Sequence, residues 1–309
     1  MNYMPRNPHG FTHAKAPAAS QKVNWRAGDI VGGRRRLDFR KPFLPQSLAR
    51  TDALAFLDAD ATLKLNHIRA NAYLHTFGLI EEVALPFVID HARPMLAEDD
   101  PRRRALPGSA MEEARHVRLF RTFEHEFQAG FGAVCDVIGP VEVFGKAALA
   151  HHPLSMALLI LQVDWMTQRH YLESIRDDQT LDEQFKSLLR LQELEETRRT
   201  QLDTLMVEVL ANGLSTGEID KAVENYVDIG FMLDGALRRQ AALDLDALQR
   251  ATGRRFAAPE AERIVGVQRQ AMRWTCLGSG MSHPGFLCTL KQLAPARAAW
   301  LAEAALAFF

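Results

Sequence analysis

An all-α fold built on a four-helix bundle, two antiparallel helix hairpins joined by a long crossover, is what this 309-residue sequence predicts. Three observations lead there. From about residue 52 apolar residues recur at three- and four-residue spacing with strong helix formers between them, and no segment alternates like a strand. The four longest segments after the N-terminal arm pair off across short loops, with a longer connection between the pairs. The punctuation agrees: Pro153 suits a first helical position, Gly213 follows a helix end, and Ser215 with Glu218 makes a capping box.

Residues 1–50, rich in Pro, Gly, Arg and Lys, read as an extended arm. In "GGRRRLDFRKPFLP" the basic run reads as a solvated face, with contact to a phosphate-bearing partner as the other reading, while Phe39, Phe43 and Leu44 are expected to pack onto the body. Helices are expected at 60–93, 108–130, 140–151, 153–178, 181–212, 215–252 and 258–277, with shorter pieces to the end. Residues 51–309 then form a single all-α domain, the bundle over 51–213 and accessory helices over 214–309. Those accessory helices cover the bundle or form a homodimer interface.

The 37 basic and 38 acidic residues nearly cancel, which removes any global field drawing nucleic acid or anionic membrane. Cys135, Cys276 and Cys288 are odd in number and far apart, without a CxxC pattern, as in a reducing compartment. No stretch reads as long and apolar enough for a membrane span, and the first residues lack the apolar run of a secretory signal. A cytoplasmic protein is the expectation.

Function turns on two stretches, "EEARH" at 112–116 and "EETRR" at 195–199. Glu113-x-x-His116 places a carboxylate and an imidazole one helical turn apart on one face. A carboxylate-bridged metal pair in a bundle needs one carboxylate from each of two helices and a Glu-x-x-His from each of the other two. Carboxylates bridge cations and balance their charge; imidazole adds a neutral nitrogen. Glu82, 31 residues before Glu113, completes the first hairpin's set, with Glu81 as competitor and His75, seven residues earlier, favouring Glu82 as the inward member. His116 shares its face with Phe120, Phe123 and Phe127, so it is expected to point inward. Pro86 clashes with the carbonyl of Glu82 and predicts a kink or bulge there. A solvated Glu81–Glu82 face is the plainer alternative.

In the second hairpin Asp164 precedes Glu196 by 32 residues, inside the apolar run "LLILQVDW". A carboxylate there is costly without a partner. Gln192, Arg199 and Asp203 fall within the apolar arc of the last helix, with Glu196 near its edge, and polar groups so placed need partners or an ion. Arg199 stands where a second histidine would complete the pattern. Guanidinium has no lone pair to give, so it replaces a cation's charge instead of binding one. His170, with Glu173, is read as surface or supporting, His151 and His152 as loop, and His283 as structural. Tyr73, Tyr171, Trp165 and Tyr226 are core aromatics or the lining of a substrate cavity.

Through Glu82, Glu113-x-x-His116, Asp164 and the "EExx" frame at Glu196, residues 60–212 resemble the ferritin-like carboxylate di-iron proteins, nearest the p-aminobenzoate N-oxygenase type. The resemblance implies O2 activation at two irons and oxidation of a small organic substrate. This chain departs at Asp164, where the family has Glu, and at Gln192 and Arg199, where the N-oxygenase type has histidines. The expectation is therefore a non-heme iron or manganese oxidoreductase with fewer than two metals per chain. Its ligands would be Glu82, Glu113, His116, Asp164 and Glu196, modified by Arg199, Gln192 and Asp203. The alternative is a metal-free pseudoenzyme of the same fold, serving as a structural or partner subunit.

Overall fold

The computed structural model describes residues 30–31, 35–93 and 106–308, apart from the side chains at 92, 106–111, 113, 196–198 and 307. Among the described residues the regular structure is helical: α1 (Ala59–Ala92), α2 (Leu106–Phe131), α3 (Val141–Ala148), α4 (Pro153–His170), α5 (Glu183–Ala211), α6 (Thr216–Thr252), α7 (Ala258–Arg273), α8 (Pro284–Leu293) and α9 (Pro295–Ala305). The starts obey local chemistry. Asp58 caps α1 by accepting from the Ala61 amide, Asp182 caps α5, and Ser215 with Glu218 forms the reciprocal box that opens α6. Gly213, at φ 86°, adopts the left-handed backbone that lets the chain turn between α5 and α6.

The hairpins pair as expected, α1 against α2 and α4 against α5, and α2 meets α5 across the bundle. The crossover carries α3. Helix α6 packs on both α1 and α4, and α7 packs on α6, so the accessory helices cover the bundle. This is the ferritin-like arrangement of two hairpins around one centre. Helix α4 does not continue uniformly to 178; it passes into a wider π-turn at Tyr171–Ile175. Helix α1 runs through Pro86 as one helix.

Phe43 and Leu44 are buried, and Phe39 lies against Phe127, Phe131 and Phe43, as expected of the arm. Asn66 on α1 holds the arm by accepting from the Phe43 and Leu44 amides at 2.8 and 3.1 Å and donating to the Leu44 carbonyl at 2.7 Å. Asp182 ties it to α5 through the Asp38 amide at 2.9 Å. Arg35 and Arg36 are exposed.

One expectation is corrected. Residues Ala59–His91 of α1 are long and apolar enough, by length and composition, to cross a membrane. That helix packs within the bundle, with 72% of its apolar window buried inside the protein.

The C-terminal segment seats on α4 through a close approach. A β-carbon on Gly280 would come within 2.7 Å of both the Gln162 carbonyl oxygen and its Cγ. Gln162 is held in place, donating to the Cys276 carbonyl at 3.2 Å and accepting from the Tyr226 hydroxyl at 2.6 Å. Gly280→Ala is expected to lose about 1–3 kcal/mol of stability through overpacking, read as a lower urea midpoint at unchanged slope.

Candidate functional site

Each bundle helix sends a charged side chain to one centre. Glu81 comes from α1, His116 from α2, Asp164 from α4, and Glu195 and Arg199 from α5; none is more than 2% exposed. Such groups are not buried singly without large cost, so their convergence is the organising fact of the core.

His116 is the hub. Its Nδ1 lies 3.3 Å from Glu81 Oε2 and 3.1 Å from Arg199 Nη1, and its Nε2 lies 2.8 Å from Glu195 Oε2. A guanidinium only donates, so the Arg199 contact makes Nδ1 an acceptor and assigns the ring proton to Nε2, facing Glu195. Arg199 spans the centre: Nη1 reaches His116 and lies 3.9 Å from Glu81 Oε1, while Nη2 donates to Asp164 Oδ1 at 3.4 Å. One planar cation therefore faces both halves of the constellation. At the edge, Arg115 donates to Glu195 Oε1 at 2.7 Å and lies 4.0 Å from Glu112 Oε1.

The inward member of the first glutamate doublet is Glu81, which corrects Glu82. Glu82 is 24% exposed and accepts from Arg121 at 2.7 Å. His75 does share a face with Glu82, but that face looks onto an outer cleft. Glu81 instead continues the buried row of Tyr73 and Phe77, at four-residue spacing. That row was the signal in the sequence that identifies it. Glu112 and Glu195 are also buried, each four residues before its helix's central residue, and neither was read from the sequence as a metal ligand. The side chains of Glu113 and Glu196 lie outside the described residues. Gln192 and Asp203 are buried on α5 as expected.

The other candidates separate cleanly. His170 is buried, correcting the surface reading: Nδ1 pairs with the Tyr73 hydroxyl and Nε2 with Ser279 Oγ, both at 2.9 Å. Burial, with Arg169 and Arg69 nearby, pushes its pKa down to about 3. His283 and His152 cap α8 and α4 by accepting from the Gly285 and Leu154 amides. Tyr73 and Tyr226 are fully buried core residues.

The donor chemistry tests the metal reading half by half. Glu81 and His116 present a carboxylate oxygen and an imidazole lone pair 3.3 Å apart, aimed at shared space, which suits a borderline divalent cation such as iron or manganese. Asp164 is met by a guanidinium, which suits no metal. The first half fits an ion once Arg199 Nη1 leaves Nδ1; the second does not. Among the described residues no group of three or more His, Cys, Asp or Glu side chains is spaced to hold a metal ion. A cleft of about 330 Å³ lies outside this centre, lined by His75, Gly78, Glu82, Arg121 and Glu124. Phe120 is the side chain common to both, in the cleft wall and with its ring 6.2 Å from that of His116.

No protein-family model matches the chain, and no curated protein matches it in sequence. Among solved structures it is similar to mutants of an R2-like ligand-binding oxidase. One, aerobically reconstituted with an Mn/Fe cofactor, has TM-score 0.48 and 12% identity, over 88% of this chain and 93% of that one. Another, with an Fe/Fe cofactor, has TM-score 0.47 and 13% identity, over 85% and 94%. The fold assignment rests on the hairpin pairing, and the site on its own distances.

Proposed function

We propose that this chain is a ferritin-like non-heme metal oxidoreductase with one working half-site. Glu81 and His116 hold a single iron or manganese ion once Arg199 Nη1 withdraws from His116 Nδ1, Glu113 and Glu196 are the further candidate ligands, and Arg199 stays as the resident cation of the other half through Asp164. The observation that carries this reading is the 3.3 Å approach of Glu81 Oε2 to His116 Nδ1 at the sealed meeting point of four helices. When bound, the ion supplies the redox chemistry needed to use O2 against a small organic substrate.

The chain's own residues do the rest. Glu195 orients His116 by accepting from Nε2, which directs the Nδ1 lone pair to the centre. Arg199 neutralises Asp164, so that carboxylate needs no second ion. Phe120, with the apolar bundle core, keeps bulk water from the centre. The balanced charge supports a small-molecule substrate over nucleic acid. We place the protein in the cytoplasm on its cysteine usage.

A second reading, the metal-free pseudoenzyme, is favoured by the 3.1 Å contact of Arg199 Nη1 with His116 Nδ1, which sets a guanidinium hydrogen on the lone pair an ion would need. Metal content by elemental analysis, on protein expressed with supplemented iron and manganese, separates the two. About one ion per chain, lost in His116→Ala, supports the oxidoreductase. No ion in the folded parent overturns it.

A further inference from the structure

His75 lies outside the bundle centre, on the face of α1 turned to the crossover. Its side chain is 21% exposed, and its two ring nitrogens meet two acceptors: Nδ1 lies 2.7 Å from Glu124 Oε1 and Nε2 lies 2.7 Å from the Ile138 carbonyl. A neutral imidazole has one N–H and one lone pair. It satisfies one of these contacts and sets its lone pair against an oxygen in the other. Only the imidazolium donates to both.

We propose that His75 is a proton-operated latch: as an imidazolium bridging Glu124 of α2 to the Ile138 carbonyl, it fastens the crossover over the outer cleft, and deprotonation releases it. The crossover residues Ile138, Gly139 and Pro140 form one wall of that cleft. The crossover is also tethered to α6: Gln240 donates to the Asp136 carbonyl at 3.2 Å and accepts from the Ile138 amide at 2.8 Å, and Arg250 donates to the Val134 carbonyl at 3.0 Å and pairs with Asp136 at 2.8 Å. The Ile138 peptide is thus held on its amide side by a group that does not titrate and on its carbonyl side by one that does. The charged groups around His75 are Glu124 and Arg121 from α2 and Glu82 from α1. Arg121 is paired with Glu82, so Glu124 is the carboxylate engaged with the imidazolium.

The direction of the linkage follows. Burial disfavours the charged ring, but the hydrogen bonds to Glu124 and Ile138, with the Glu124 and Glu82 charges, outweigh it and raise the His75 pKa. A raised folded-state pKa means the latch contributes fully below the ordinary histidine value of about 6.5 and is lost as pH rises through the higher folded value. The cleft wall is therefore fastened at pH below the ordinary histidine range and freed as pH rises through the raised folded value.

The test uses the whole chain. Nitrogen-resolved NMR of its histidines from about pH 5 to 9 is expected to show both His75 ring nitrogens protonated, titrating above the ordinary value. In Glu124→Gln that titration falls back to or below it. Exchange of the Ile138 amide, corrected for intrinsic rates, is expected to lose about tenfold protection per unit of that shift as His75 titrates. Glu124→Gln shows the loss at lower pH than the parent. A single ring proton on His75 at pH 6, or protection of the Ile138 amide that ignores pH across its titration, overturns the latch.

Discussion

Replacing Arg199 with histidine raises bound iron or manganese from about one to about two ions per chain. The argument is local. Arg199 Nη2 lies on Asp164 Oδ1 at 3.4 Å and Nη1 on His116 Nδ1 at 3.1 Å, so one cation serves both halves of the centre. The shorter histidine withdraws the guanidinium from both contacts at once. It frees the His116 lone pair, leaves Asp164 needing a counter-charge, and adds a nitrogen donor on the helix that carries Glu195. The same change supplies the ligand and removes the competitor. Elemental analysis of parent and variant, purified together, reads the result, and a metal-linked rise in Tm on adding manganese confirms that the ion sits in the fold. If Arg199→His binds no more metal than the parent, the second half-site is not a retired metal site. The "EETRR" frame then only rhymes with "EEARH".

Much of this centre was legible in the sequence, and what was not has a physical cause. His116, Asp164, Gln192, Arg199 and Asp203 were read as buried, and they are, because a polar residue in an apolar arc has nowhere else to point. The tandem glutamates were harder. Adjacent helical residues differ by about 100°, so one face choice decides the pair, and His75 supplied the wrong reference because its own partners, Glu124 on α2 and Ile138 in the crossover, lie outside the bundle centre. Helix pairing was readable from loop lengths and caps, since those are local. The burial of His170 was not, because its partners Tyr73 and Ser279 lie 97 and 109 residues away. The latch on Ile138 was invisible for the same reason: a backbone carbonyl leaves no mark on composition.

The strongest effect on stability is expected from Arg199→Met. Methionine keeps most of the volume and removes the cation that Asp164 and Glu81 face at 3.4 and 3.9 Å. Breaking a buried pair from one side costs about 3–5 kcal/mol, because the remaining charge stays in low dielectric. Removing the other side as well behaves differently. In Arg199→Met/Asp164→Leu the carboxylate leaves together with its counter-charge, and an apolar group enters a helix already apolar from Leu158 to Leu161. The double variant should recover most of the loss, a coupling of at least about 3 kcal/mol in a double-mutant cycle by urea unfolding. Full recovery would mean the pair contributes little net stability and persists for the cation it places beside His116. A single-variant cost under about 1 kcal/mol would show that Arg199 is not the counter-charge of this core, and the assignment of the second half-site to a guanidinium would fall with it.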